Sequence, residues 1–298
     1  MGRIMAAKST GSTTPRVGIV TVSYHSGEVL TGFLDSVRGS AAVAPSVVVV
    51  DNLRESEVEA LAESVGARYL STGSNLGYGG AMNAGVAVLD DDIEWVLLSN
   101  PDVVLTPGVI DALVAVAAND DSIAAVGPAV LNSDGTVYPS ARNVPSLRTG
   151  VGHALFANLW ISNPWSAAYK NESADNTVRR DAGWLSGSCL LVRRSAFTAI
   201  NGFDDGFFMY FEDVDLGYRL GKQGLRNVYE PSVSVTHTGA HSTTSESDRM
   251  VAAHHASARR FLSKKYPGVL LWPIRVTLTI GLALRSAVIR RRITKEKG

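Results

Sequence analysis

The sequence predicts an α/β fold: a mostly parallel twisted sheet with helices on both faces. Short apolar runs rich in β-branched residues alternate with helical-looking segments along the first 130 residues. Several of these runs, "VVVVD" at 47–51 above all, are apolar at every position rather than at every second one, the pattern of strands covered on both sides. With 298 residues, 45% hydrophobic and 19% charged, the chain can bury a substantial core as one large α/β domain or two smaller ones.

The elements follow in order. Strands are expected at "VGIVTVSY" (17–24), "SVVVVDN" (46–52), "ARYLS" (67–71), "EWVLLSN" (94–100) and "IAAVGPAV" (123–130), with helices near 26–39, 54–65, 79–90 and 107–118. From 131 to 180 the pattern loosens into "NSDGTVYPSARNVPS" and "FANLWISNPWSAAYKN", read as a long connection or lid. A second ordered block carries "GWLSGSCLLVRRSAF" (183–197), "FFMYFEDVDLGYRL" (207–220) and "VSVTHTG" (233–239). The expected division is a flexible leader at 1–15, a globular unit at 16–242 with halves at 16–130 and 131–242, and a helical basic tail at 243–298. The leader lacks the apolar core of a signal peptide, and Ala6 departs from the myristoylation pattern.

Zero net charge hides an asymmetry. Residues 259–298 hold eleven Lys or Arg against the single acid Glu296, leaving the tail at +10 and the rest of the chain at −10. Within it, "VLLWPIRVTLTIGLALRSAVI" (269–289) would reach about 31 Å as a helix, near the thickness of a bilayer core. Pro273, Arg275 and Arg285 interrupt it, which favours an amphipathic segment lying on an anionic membrane surface over a span. The basic residues interleave with aliphatic rather than aromatic ones, which argues against nucleic acid. One cysteine, Cys189, excludes an internal disulfide and any multi-cysteine metal site, and reads as a small buried residue.

Ligands of open α/β sheets bind beyond the carboxyl ends of the strands. The polar residues there are Ser23 and Tyr24, Asp51 and Asn52, and Asn100 with Asp102. "NLGYGGAMNAG" (75–85) opens a helix but fails the dinucleotide fingerprint at Met82 and lacks the Lys-Ser/Thr of a P-loop. It remains either a turn that lets backbone approach a ligand, with amides from Asn75 and Asn83, or a plain helix entry. In "LLSNPDV" (97–103), Asp102 projects at the sheet edge as a ligand for a cation bridging a diphosphate, or as part of an Asx turn. His237 ends a strand and offers an imidazole. The three acids Glu212, Asp213 and Asp215 fit a helix start, with Asp215 paired to Arg219 at i,i+4, or a catalytic carboxylate behind an aromatic approach.

Taken in order, "VGIVTVSYHS", "VVVVDN", "NLGYGGAMNAG", "LLSNPDV", "WLSGSCLLVRR", "FFMYFEDVDLGYRL" and "TH" resemble the inverting family-2 glycosyltransferases over roughly residues 16–242. Within that family the chain is most similar to bacterial rhamnosyltransferases, in particular those of mycobacterial cell-wall linker synthesis. The resemblance implies a GT-A type fold, Rossmann-like in its nucleotide-sugar half (16–130), with an acceptor half at 131–242. It implies transfer of L-rhamnose from dTDP-L-rhamnose to a polyprenyl-diphosphate-linked N-acetylglucosamine at the cytoplasmic membrane face, with oligomers possible. A non-catalytic nucleotide-sugar-binding or scaffold subunit is the alternative. Asp51 would contact the base, with Ser23, Tyr24, Asn75, Gly77, Gly79, Asn83 and Asn100 completing the nucleotide-sugar pocket. Asp102 matches the last acid of the Asp-x-Asp motif and His237 a further ligand for Mg²⁺ or Mn²⁺, while Asn100 stands where the first Asp would be. Asp213 matches the catalytic base, and Trp184, Ser186, Gly187 and Glu212 would support the acceptor side.

Overall fold

The computed structural model describes residues 15–146, 176–239 and 247–268, with Pro273 and Val276 beyond them. The first half alternates as expected: β1 (Val17–Ser23), α1 (Gly27–Val37), β2 (Ser46–Asp51), α2 (Ser56–Ser64), β3 (Arg68–Ser71), α3 (Gly77–Ala87), β4 (Trp95–Ser99), β5 (Val103–Leu105), α4 (Val109–Ala117) and β6 (Ile123–Asn132). Then come β7 (Val137–Tyr138), β8 (Ala141–Arg142), β9 (Arg180–Ala182), β10 (Trp184–Leu185), β11 (Cys189–Arg193), α5 (Arg194–Ala199), α6 (Glu212–Lys222), β12 (Arg226–His237) and α7 (Ser247–Lys265). Most of the expected lid, at 147–175, and the 269–289 segment apart from Pro273 and Val276 lie outside the described residues.

The main sheet runs β3-β2-β1-β4-β11-β6-β12-β5. Strands β3, β2, β1 and β4 are mutually parallel, as are β6 and β12, whereas β11 enters antiparallel between β4 and β6. The reversal has a consequence for the site. It places Cys189, where β11 begins, beside Ser99, where β4 ends, so the preceding loop 186–188 lies at the carboxyl edge of the parallel strands.

Strand periodicity divides the core cleanly. Ile19, Val49, Leu97 and Leu191 face one cluster with α1, α2 and α4, while Val20, Val48, Val50, Leu98 and Leu190 face the other with α3, α5 and α6. The continuous apolar runs are thus strands buried on both faces. Cys189 is buried within the first cluster, and burial pushes its thiol up to about 12, as suits an inert core residue.

The C-terminal helix departs from the expected tail. In α7, Phe261 is fully buried, Arg260 and Lys264 pair with Asp204, and Lys264 also reaches the buried Asp215 at 2.7 Å. Two of the eleven cations assigned to a membrane-facing tail are therefore ion pairs of the folded body. Among the described residues no helix is long and apolar enough to cross a membrane.

Candidate active site

Three of the expected residues converge at the sheet's carboxyl edge. A register shift in β12 between Glu230 and Ser234 places His237 opposite Val103 of β5. Its Nε2 then lies 3.1 Å from Asp102 Oδ1 and 3.3 Å from Asn100 Nδ2. The backbone amide and hydroxyl of Thr238 both donate to the Asp102 carbonyl (3.0 and 3.1 Å), fastening the two chain segments together. Among the described residues no three His, Cys, Asp or Glu side chains form a cluster able to hold a metal. The donors here are one carboxylate, one imidazole and one amide. That set fits a hard or borderline divalent cation.

Asp213 sits in the first turn of α6, at the end of an unusual approach. Tyr210 and Phe211 both have left-handed backbone, φ 65° and 66°, which for bulky aromatic residues costs on the order of 1–3 kcal/mol each. Surrounding contacts hold the turn. Ser257 Oγ of α7 donates to the Met209 carbonyl at 2.8 Å, His254 packs edge-on against both rings, and Phe211 meets Phe261 at 5.8 Å. The backbone amide of Gly187 donates to Asp213 Oδ2 at 3.1 Å and that of Val214 to Oδ1 at 2.8 Å. Burial still raises the Asp213 carboxyl above its usual range, opposed by those amides and by the positive charge of Arg142.

Glu212 differs from its neighbour. It is buried with Oε2 unpartnered among the described residues, and burial followed by repulsion from Asp213 pushes its carboxyl up to about 8. Burial therefore favours its protonated form at neutral pH. Asp215 keeps the structural role expected from spacing: Arg219 Nε reaches it at 2.5 Å, and the same guanidinium donates to the carbonyls of Ile200 and Gly202.

The loop 186–188 joins these two centres. Gly187 donates to Asp213, Ser188 accepts from the Asn100 amide at 2.9 Å, and Ser186 is fixed through its amide to Ser140 at 2.7 Å. Tyr78 of α3 donates to the Gly187 carbonyl at 2.5 Å. Burial holds its hydroxyl well above the usual range, and the charges of Glu212, Asp213 and Asp102 raise it further. Trp184 is half-buried; its indole donates to the Asn143 carbonyl at 3.1 Å and its ring lies under Arg142, so one face is already covered.

The residues expected around the nucleotide divide into two groups. Ser23 ends β1 with its hydroxyl buried and unpartnered among the described residues, Tyr24 is half-buried beside it, and Asn75 caps Gly77 at 2.8 Å. Gly77 has φ 72°, and a Cβ there would meet the Phe208 carbonyl at 2.1 Å, so only glycine lets this loop press against the turn that leads to Asp213. Gly79 likewise packs on Phe203. Asp51 and Asn83 are engaged internally instead. Asp51 is fully buried, accepting from the amides of Leu53 and Glu55 and from the Tyr69 hydroxyl, so it shapes the loop after β2. Asn83 exchanges two hydrogen bonds with the Phe203 backbone and donates to Asp205, locking the turn before the aromatic approach. Asn52, marked from sequence only as a polar residue at a strand end, bridges the Gly77 carbonyl and Thr72.

The contribution of α7 was not visible in sequence because its basic residues were counted as tail charge. A signal was present: Ser257, Phe261, Lys264 and Lys265 recur at helical spacing on one face.

A family model described as "Glycosyltransferase like family 2" matches residues 15–257. The N-acetylglucosaminyl-diphospho-decaprenol L-rhamnosyltransferase of Mycobacterium tuberculosis is 44% identical over 284 residues, covering 92% of each chain. Among solved structures, a mannosyltransferase of Pyrobaculum calidifontis in complex with GDP-Man and Mn²⁺ superposes with a TM-score of 0.57 at 15% identity, over 96% of this chain and 77% of that one. GalNAc-T7 with UDP, GalNAc and Mn²⁺ gives 0.54 at 16% identity, over 90% and 54%. The fold is that of the GT-A glycosyltransferases, as the motif order implied.

Proposed function

The chain belongs to the family-2 glycosyltransferases, and we propose that it transfers L-rhamnose from dTDP-L-rhamnose to an N-acetylglucosaminyl-diphospho-polyprenol in bacterial cell-wall synthesis. The observation that carries this reading is the 44% identity, extending over 92% of both chains, to a curated enzyme named for that transfer. The site's chemistry is compatible with it.

In this reading Asp213 is the general base. It accepts the proton of the acceptor hydroxyl as that oxygen attacks the anomeric carbon from the face opposite the nucleotide, forming the new glycosidic bond while the bond to the diphosphate breaks. The raised Asp213 carboxyl suits this task, because a base nearer neutral pH drives proton transfer better than an ordinary aspartate. One carboxylate suffices, since the leaving group is a diphosphate rather than a sugar alkoxide that needs an acid. Asp102 and His237, with Asn100, would hold a divalent cation; bound there, Mg²⁺ or Mn²⁺ supplies charge stabilisation to the departing diphosphate. Gly187 and Tyr78 hold the base in place, and Glu212, neutral beside it, adds no second negative charge to the acceptor side. Ser23, Tyr24 and the Asn75–Gly79 loop border the nucleoside. The residues from 269 onward would bring the enzyme to the cytoplasmic membrane face where a polyprenyl acceptor resides.

Incubating the protein with dTDP-L-rhamnose, farnesyl-diphospho-N-acetylglucosamine and Mn²⁺ should yield a rhamnosylated lipid. Asp213→Asn should lower turnover by roughly 10²–10⁴-fold, the usual contribution of a general base, while leaving donor binding intact. Near-full turnover by the variant would sink the base assignment. Absence of product from the wild type, with another nucleotide sugar consumed in its place, would overturn the choice of donor.

A further inference from the structure

Arg142 meets Asp213 only as a positive charge and Trp184 only as a cation over its ring, and neither gives its guanidinium a ligand. It lies in β8, directly opposite Trp184 of β10, on a short ladder that continues through Ala141 with Leu185 to the Ser186 amide on Ser140. The next residue, Gly187, donates to Asp213. The Arg142 side chain turns back toward that end: its Nε donates to the Pro139 carbonyl at 2.7 Å, and its guanidinium carbon lies 5.5 Å from the Tyr138 ring centre and 5.7 Å from that of Trp184. Two aromatic rings and one carbonyl thus hold the guanidinium. Among the described residues no carboxylate pairs with it, although the group remains partly open to solvent.

We propose that Arg142 is the acceptor-diphosphate contact, its guanidinium held across Tyr138 and Trp184 to bind the diphosphate that joins the acceptor sugar to its lipid. This rests on the reading of the acceptor given above. Three observations lead to it. The donor's diphosphate belongs with Asn100, Asp102 and His237 on the β4–β12 edge, whereas Arg142 approaches Asp213 from the β8–β10 ladder. An acceptor whose hydroxyl rests on Asp213 carries its own diphosphate one sugar ring away. A planar, pre-oriented guanidinium offers paired donors that match phosphate oxygens, which a mobile ammonium does not.

The test compares two acceptors, farnesyl-diphospho-N-acetylglucosamine and octyl N-acetylglucosaminide, which lacks the diphosphate. Arg142→Ala should raise KM for the first by about tenfold or more, as expected for loss of a charge-assisted hydrogen-bond pair. KM for the donor should stay as in the wild type, kcat/KM for the octyl glycoside should fall far less than that for the diphosphate acceptor, and Arg142→Lys should recover part of the loss. An equal loss with both acceptors would mean that Arg142 acts through Asp213 or the fold and would overturn the proposal, as would a raised donor KM or no change at all. Calorimetry with farnesyl diphosphate decides the anion site without turnover: binding lost in Arg142→Ala supports it and binding unchanged overturns it. A wild type that binds this probe through Arg142 yet glycosylates neither acceptor would refute the function reading alone.

Discussion

Replacing Glu212 by Gln should make the protein less sensitive to alkaline pH, and the size of the effect follows from the site. Glu212 has its carboxyl raised from 4.5 to about 8, by burial first and by Asp213 second. Between those values the unfolded chain has released the Glu212 proton and the folded protein still holds it. Stability is therefore fully present below about pH 4.5 and declines as pH rises, until the folded group titrates near 8. One pH unit corresponds to about 1.4 kcal/mol, so by pH 7 the wild type has lost roughly 3 kcal/mol from this group. Glutamine keeps the shape of the protonated acid and cannot ionise. Relative to their difference at pH 5, Glu212→Gln should thus gain about 2.5 kcal/mol over the wild type by pH 7, or several degrees in Tm for a domain of this size. Urea denaturation at pH 5, 6 and 7 measures this directly. Parallel stability curves for the two proteins would refute the claim that Glu212 is buried and neutral.

Two further outcomes are expected. Lys264→Met removes the cation between Asp204 and the buried Asp215, and with Lys264 about one-third exposed the loss should be about 2 kcal/mol by chemical denaturation. Arg259→Ala, at an exposed position of the same helix, should change nothing, and equal effects would contradict the docking of α7. Asp102→Asn should weaken activation by Mn²⁺, seen as a higher metal concentration for half-maximal transfer; an unchanged midpoint would remove Asp102 from the metal set.

How much of this was legible in the sequence varies with the range of the interaction concerned. Strand positions followed from local periodicity, and Asp215 with Arg219 followed from helical spacing, because both depend only on neighbours a few residues away. The order of the motifs pointed to the family and singled out Asp102, Asp213 and His237. Their meeting was another matter. His237 comes to Asp102 across 135 residues through a bulged strand, and Gly187 comes to Asp213 through an antiparallel β11 inserted beside β4. Nothing in the local pattern of β11 distinguishes a parallel neighbour from an antiparallel one.

Side-chain roles were decided at the same level. Asp51 and Asn83 had the right chemistry and the right strand or helix for ligand contact, yet the nearest unsatisfied backbone groups lie inside the protein and take their hydrogen bonds. Charge counting alone sent Arg260 and Lys264 to a membrane, whereas the fold brings Asp204 and Asp215 to them. Sequence by itself thus determined which segments become strands and helices and which carboxylates stand at their ends. Only the tertiary structure decided which of those groups meet at the sheet's carboxyl edge, because that depends on pairing between distant segments and on which buried polar groups each side chain must satisfy.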